Sequence, residues 1–353
     1  MKMLLVFSLS YSEILEKGMN MNIVKSIVIN FLGYFQTRNA LIKVRHLKQF
    51  SDSPLNKLCQ ALEDVLTRKI LPDEVDYVRR IERLRSKMLA SDRQVLFADY
   101  GAGSPDITLT EVESANGVTI TKQVSEVVQW SKPFFWGLLL FKLVRLFRAE
   151  KCLELGTCLG ISGSYVAAAQ VLSGSGELKT LEGSATFADL AEKNFVELGL
   201  KNFSIVVGRF HDTLGNVLEK EKFFDFVFID GHHDEVATIK YFNQISPHLA
   251  EGAVVIFDDI AWSSGMKRAW RKLKSDEQFS LTADLSVIGV CIVGRSNKEK
   301  RDIKIPLRAA AAFLSVVSSE DFQAYEETAY LMASPKNAER LNQAIVEVEK
   351  NED

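Results

Sequence analysis

Two apolar runs of this chain end in acid: Phe228-Ile229-Asp230-Gly231-His232-His233-Asp234 and Ile256-Phe257-Asp258-Asp259. Read as neighbouring strands, they bring Asp230, Asp258 and Asp259 out at one sheet edge. Carboxylates placed so close repel one another unless a cation, a proton or hydrogen-bond donors intervene. A divalent hard metal with oxygen ligands is one answer to that repulsion. The two adjacent histidines add another chemistry, because imidazole exchanges protons near neutral pH and serves as a general base. His232 and His233 also admit plainer roles, as metal ligands or as caps of the helix that follows.

A second group lies upstream, in Leu153-Glu154-Leu155-Gly156-Thr157-Cys158-Leu159-Gly160-Ile161-Ser162. This is a strand running through a glycine turn into a helix. Ligands of open α/β sheets sit at the carboxyl ends of strands, and this is the first such end. Gly156 and Gly160 remove side chains where backbone must approach a bound molecule, and the helix start offers N–H groups to an anion. The dinucleotide fingerprint G-x-G-x-x-G is not met, which turns the reading away from dehydrogenases. The next strand ends in Glu182, an acid placed to accept hydrogen bonds from ribose hydroxyls. The third ends in Val207-Gly208-Arg209-Phe210, where the aromatic ring either covers a base or packs into the core.

The elements that position these residues follow from periodicity. From Lys151 onward, short apolar runs alternate with helical segments, the pattern of a parallel sheet with crossover helices. Strands are expected at 151–155, 177–182, 203–208, 224–230 and 253–259. Two more, at 281–285 and 289–294, lie too close for a crossover and must form an antiparallel hairpin. Before them, residues 1 to about 90 show helical spacing, as in Tyr77, Ile81, Leu84 and Met88. The Asp99–Ser104 segment, DYGAGS, reads as a loop able to fold over the site as a lid, its plain alternative being a turn. The tail after Arg301 is expected to be helical, with an Ala-rich face at 309–312 for packing or for contacts between copies.

Composition narrows the class. The chain has 353 residues, 43 Lys+Arg against 46 Asp+Glu and a formal net charge of -3, so no global attraction to nucleic acid or anionic lipid is expected. The opening MKMLLVFSLS has a short apolar run and no small-residue cleavage site, so export is not expected. Trp136–Val144 is interrupted by Lys142 and falls short of the ~20 residues a membrane span requires. Cys59, Cys152, Cys158 and Cys291 have no paired short spacing and read as reduced thiols of a cytoplasmic protein.

Taken together, ELGTCLGIS, FIDGHHDEVATIKYF, FDDIAWSSGMKRAWRKLK and DLSVIGVCIV resemble a bacterial subfamily of class I S-adenosylmethionine (SAM) methyltransferases, over about Asp99 to Val293. The resemblance implies an α/β, Rossmann-like sheet of five parallel strands plus an antiparallel hairpin. Its divisions would be a helical N-terminal region over 1–98, the methyltransferase domain over 99–298 and a helical C-terminal extension over 299–353. It implies SAM as cofactor, held by Glu154, Gly156, Thr157, Gly160, Ser162, Glu182, Gly208, Phe210 and Asp230. The acid order is similar to that of catechol-type and sugar O-methyltransferases, which makes Asp230, Asp258 and Asp259 candidate ligands for Mg2+. His232 stands where sugar methyltransferases carry an acid, so His232, His233 and Asp230 become the catalytic candidates. The implied reaction is O-methylation of a small-molecule hydroxyl, with metal assistance in the catechol manner. Metal-independent N-methylation, a protein or nucleic-acid acceptor, and a non-catalytic SAM-binding scaffold are the alternatives. Trp262 is expected to wall the acceptor pocket and Trp270 to lie in the core.

Overall fold

A computed structural model of the chain describes residues 21–48, 53–100, 103–104, 107–108, 117–294 and 300–315. The opening MKMLLVFSLS, the interior of the Gly-rich loop and the tail beyond 315 lie outside the described residues. Seven strands match the expected runs, because each alternates or saturates in apolar residues and stops at glycine or acid. They are β3 (Lys151–Leu155), β4 (Glu177–Glu182), β5 (Phe203–Val207), β6 (Phe224–Ile229), β7 (Leu249–Phe257), β8 (Phe279–Asp284) and β9 (Gly289–Val293). The helices between them are α5 (Ile161–Ser173), α6 (Ala185–Glu197), α7 (Phe210–Lys220), α8 (Glu235–Ile245) and α9 (Ser264–Leu273).

The strands form one sheet, which an added edge strand β10 (Arg301–Lys304) brings to eight in the order β10-β8-β9-β7-β6-β3-β4-β5. β3 pairs in parallel with both β4 and β6, so the chain winds outward from β3 in two directions. That reversal opens a crevice at the carboxyl ends of β3 and β6. β8 and β9 form the expected antiparallel hairpin, and β9 is antiparallel to β7 as well.

Two expectations need correcting. The front section is not wholly helical: β1 (Gln94–Asp99) pairs antiparallel with β2 (Val118–Gln123). Val95 and Phe97 are buried while Gln94 and Leu96 are exposed, an alternation that makes a strand. The tail likewise does not begin as a helix. Arg301–Lys304 adds to β8 as a charged edge strand, with Asp302 accepting from Thr282 Oγ1 at 2.9 Å and pairing with Lys274. Helix α10 (Arg308–Leu314) follows. Gln36 Oε1 accepts from the Ala309 and Ala310 amides at 2.8 and 3.0 Å, so helix α1 (Met21–Lys48) caps α10.

The remaining front helices are α2 (Ser53–Leu66), α3 (Val75–Leu89) and α4 (Phe134–Phe147). Leu58 of α2, Ile81 of α3, Leu138 of α4 and Ala310 of α10 belong to one hydrophobic cluster with Ala167 of α5 and Ile256 of the sheet. Among the described residues no helix is long and apolar enough to cross a membrane. Lys142 shows why α4 is a core helix. Its ammonium is buried and hydrogen-bonded to the equally buried Glu74, with Asp64 3.9 Å away. Removing one partner of such a pair leaves an uncompensated buried charge, so Glu74→Ala is expected to cost about 3 kcal/mol in urea unfolding. A loss indistinguishable from zero would contradict this reading of α4.

Candidate active site

The turn after β3 is shaped by contact. Gly156 has φ +105°, and a Cβ there would sit 1.9 Å from the carbonyl oxygen of Asp230. Only glycine lets the β3 turn pass this close to the end of β6. Gly160, at φ +78°, then starts α5 with no side-chain cap, so no side chain there occupies the first-turn N–H groups.

Beneath this turn lies a buried polar chain. Thr157 Oγ1 meets Thr180 Oγ1 at 2.5 Å, Thr180 donates to Glu154 at 2.7 Å, and Ser162 donates to the other Glu154 oxygen at 2.6 Å. Glu154 has no exposed surface, so it supports the turn from below rather than touching a ligand. Burial pushes its carboxyl up to about 7. Glu182 sits at the crevice itself and accepts from the amides of Cys158 at 2.8 Å and Ser184 at 2.9 Å. Burial raises its carboxyl to about 7 as well. The Glu182 carboxylate therefore ties the β4 end to the β3 turn.

Phe210 lies against Gly231, where a Cβ would come 2.6 Å from its ring, and meets Tyr241 edge-on at 5.6 Å. It walls the Asp230 loop. Gly208, at φ +137°, turns the chain into α7 just before it. Tyr100, to which periodicity assigns no role, covers the turn beyond Glu182: a Cβ on Gly183 would meet its ring at 2.8 Å. Tyr100 belongs to the segment expected to lid the site, so that segment touches the Glu182 turn.

At the acid edge, Asp230, Asp258 and Asp259 do emerge together, because β6 and β7 are neighbours. Among them lies Lys132, from the Ser131-Lys132-Pro133 link before α4. Its ammonium hydrogen-bonds Asp258 and stands 3.9 Å from Asp230 and 4.0 Å from Asp259. Burial disfavours the lysine charge, but the three carboxylates outweigh it and hold its pKa above the ordinary lysine range. Burial raises Asp258 to about 7, with Asp230 adding to the rise, while Lys132 opposes it. Sequence reasoning misses Lys132, which lies 126 positions from Asp258 in a segment without catalytic pattern.

The histidines part company. His233 Nε2 is 3.7 Å from Asp230 and its Nδ1 is 3.8 Å from Asp259, while Trp262 meets its ring edge-on at 5.3 Å. His232 turns the other way, with Nδ1 3.4 Å from the Tyr241 hydroxyl. Burial lowers the pKa of both. Trp262, Asp259, Ala261, Val287 and Arg308 line an open cavity of about 150 Å³ beside His233. Arg308 comes from α10, a second contributor the sequence does not reveal. Trp270 is core, its indole N–H donating to Asp284 at 3.2 Å.

Residues 153–260 match the family described as "Methyltransferase domain". This segment is similar to methyltransferase domains. The chain is 32% identical over 126 residues to a catechol O-methyltransferase of Niastella koreensis, which is 35% of this chain and 55% of that protein. A 54-residue stretch, 15% of the chain, is 37% identical to antitoxin RelJ of Mycobacterium tuberculosis, covering 57% of it. The chain thus spans little more than half the length of these curated relatives. Among solved structures, an O-methyltransferase from Bacillus cereus in complex with SAH aligns with 21% identity and a TM-score of 0.41, covering 62% of this chain and 90% of its own. The matched segment runs from within β3 through β7 and holds all three acids of the cluster, whereas Lys132 and Arg308 reach the cluster from outside that segment.

The Glu154 chemistry makes a stability prediction. Its folded pKa of about 7 lies above the value of about 4.3 for a glutamate in an unfolded chain. Its share of stability is therefore complete below the lower value and is lost as pH rises through the higher one. Glu154→Gln is expected to reduce the fall in melting temperature between those two values. An unchanged slope in the variant would show that Glu154 is not the buried acid responsible.

Proposed function

We propose that this chain transfers a methyl group from SAM to the hydroxyl of a small molecule. The observation that carries the reading is the contact between the Gly156 turn and Asp230, which sets a ligand-shaped turn directly beside an acid and histidine cluster. Gly156 is needed for the close approach of the Asp230 carbonyl, and the features beside it that suit a bound molecule are the start of α5, which has no side-chain cap, and the Glu182 carboxylate. Gly156 and the start of α5 receive the amino-acid end, and Glu182 with Tyr100 flanks the nucleoside end. Bound there, SAM supplies an electrophilic methyl on a sulfonium. The relative's printed name directs the acceptor search to catechols and other phenols.

His233 is the base. It adjoins the cavity, its lowered pKa keeps it neutral and ready to accept a proton, and Asp230 and Asp259 stand within 3.8 Å to steady the imidazolium that results. His232, facing Tyr241, holds the loop rather than the acceptor. Trp262 excludes water from one side of the cavity. Four free cysteines fit a reducing compartment such as the cytoplasm.

Isothermal titration with SAM tests the first half: the native chain is expected to bind and Gly156→Ala, folded by circular dichroism, to lose binding. Native protein that takes up no SAM would end the assignment. Turnover with labelled SAM and a panel of phenols tests the second. His233→Ala should lower kcat by about 10²-fold or more with SAM affinity intact, and His232→Ala by much less. Equal activities of the two variants would remove His233 as the base.

A further inference from the structure

The acid cluster has the donor set of a metal site. Oxygens of Asp230 and Asp258 and a ring nitrogen of His233 lie within 4.8 Å of one another. The charge such a site would need is, however, already supplied by the protein. Lys132, 8% exposed, places its ammonium against Asp258 and about equally far from Asp230 and Asp259, the same three carboxylates that would ligate a divalent ion. A metal bound to these oxygens would stand beside a fixed positive charge and compete with it for the same lone pairs. The residues present therefore do not fit a divalent metal.

The lysine is held in place from behind. Arg85 donates to the Lys132 carbonyl at 2.7 Å and is itself gripped by both oxygens of Glu82 at 3.0 Å, while Tyr165 donates to Glu82 at 2.8 Å. This chain of contacts fixes the backbone at Lys132, so the ammonium is not a wandering surface charge. Its single hydrogen bond goes to Asp258; Asp230 and Asp259 lie at ion-pair distances beyond hydrogen-bond reach. An ammonium has three donors, so two remain for another acceptor. On the acid side, Asp258 Oδ1 is buried and receives no hydrogen bond from an N–H or hydroxyl donor, and Asp258 lies close enough to Asp230 to share a proton with it.

We propose that Lys132 is a built-in cation standing where catechol-type enzymes would carry a divalent metal, and that its free N–H groups bind and orient the oxygen of the acceptor. The inference rests on the methyltransferase reading for its acceptor but makes its own claim about metal. The oxygen that loses its proton to His233 would be drawn to the ammonium, which replaces Lewis acidity with a charge-assisted hydrogen bond. Arg308 and Asp259, on the wall of the adjoining cavity, mark the side from which the acceptor arrives.

The test is Mn2+ binding followed by electron paramagnetic resonance, on full-length protein whose SAM binding is measured in the same preparation. The native chain is expected to leave millimolar Mn2+ free in solution, with methyl transfer unchanged by EDTA. Lys132→Gln, which frees the three carboxylates, is expected to gain a bound Mn2+ signal and to show a rise in KM for the acceptor of about tenfold or more. A stoichiometric Mn2+ signal in the native chain, or turnover abolished by EDTA, would overturn the proposal even if the variant failed to fold. SAM uptake together with native Mn2+ binding refutes the lysine claim alone, whereas absent SAM uptake refutes the methyltransferase reading and leaves the metal result to stand by itself.

Discussion

Three carboxyl groups cannot all stay ionised at a buried sheet edge without a positive charge, and the arrangement of this molecule follows from where that charge comes from. At an effective dielectric near 20, unit charges ~4 Å apart interact by about 4 kcal/mol, so the repulsion among Asp230, Asp258 and Asp259 is of the same order as a domain's whole stability. Lys132 meets that demand from outside the segment 153–260 that carries the acids. The consequence runs backward through the chain: α3 must supply Glu82 and Arg85, and α5 must supply Tyr165, to pin the link that carries the lysine. The front helices are thereby part of the site and not an attachment to it.

The same edge shows where backbone conformation is given up to geometry. Cys158, His232, His233 and Asp259 all have positive φ without being glycine. Such residues persist only where surrounding contacts hold them, and they gather at functional loops. Here the contacts are visible: the Cys158 amide donates to Glu182, His233 lies between Asp230 and Asp259, and His232 reaches Tyr241. The loop after β6 uses consecutive left-handed residues to send two adjacent histidines to opposite sides.

Much of this is legible in residue order. Apolar runs broken by Gly156, Glu182, Gly208 and Asp230 mark the carboxyl ends of successive strands, and parallel pairing brings those ends together. The short spacing between β8 and β9 allows only a hairpin. Periodicity does not report partners across long separations, which is why it hides Lys132 and Arg308 and why it makes a ligand contact of Glu154, which lies beneath the turn. β1 and β10 escape it for a different reason. In β1 the exposed Leu96 stands between buried Val95 and Phe97 and hides the alternation, and β10 is a short charged strand at the sheet edge with little apolar pattern to read.

The most direct measurement is a crystal structure of the native chain grown with SAH and soaked in Mn2+. SAH is expected across the crevice between the Gly156 turn and Glu182, with Lys132 still among Asp230, Asp258 and Asp259 and no anomalous scattering from manganese there. An anomalous peak bound by those carboxylates, with Lys132 swung away, would contradict that expectation.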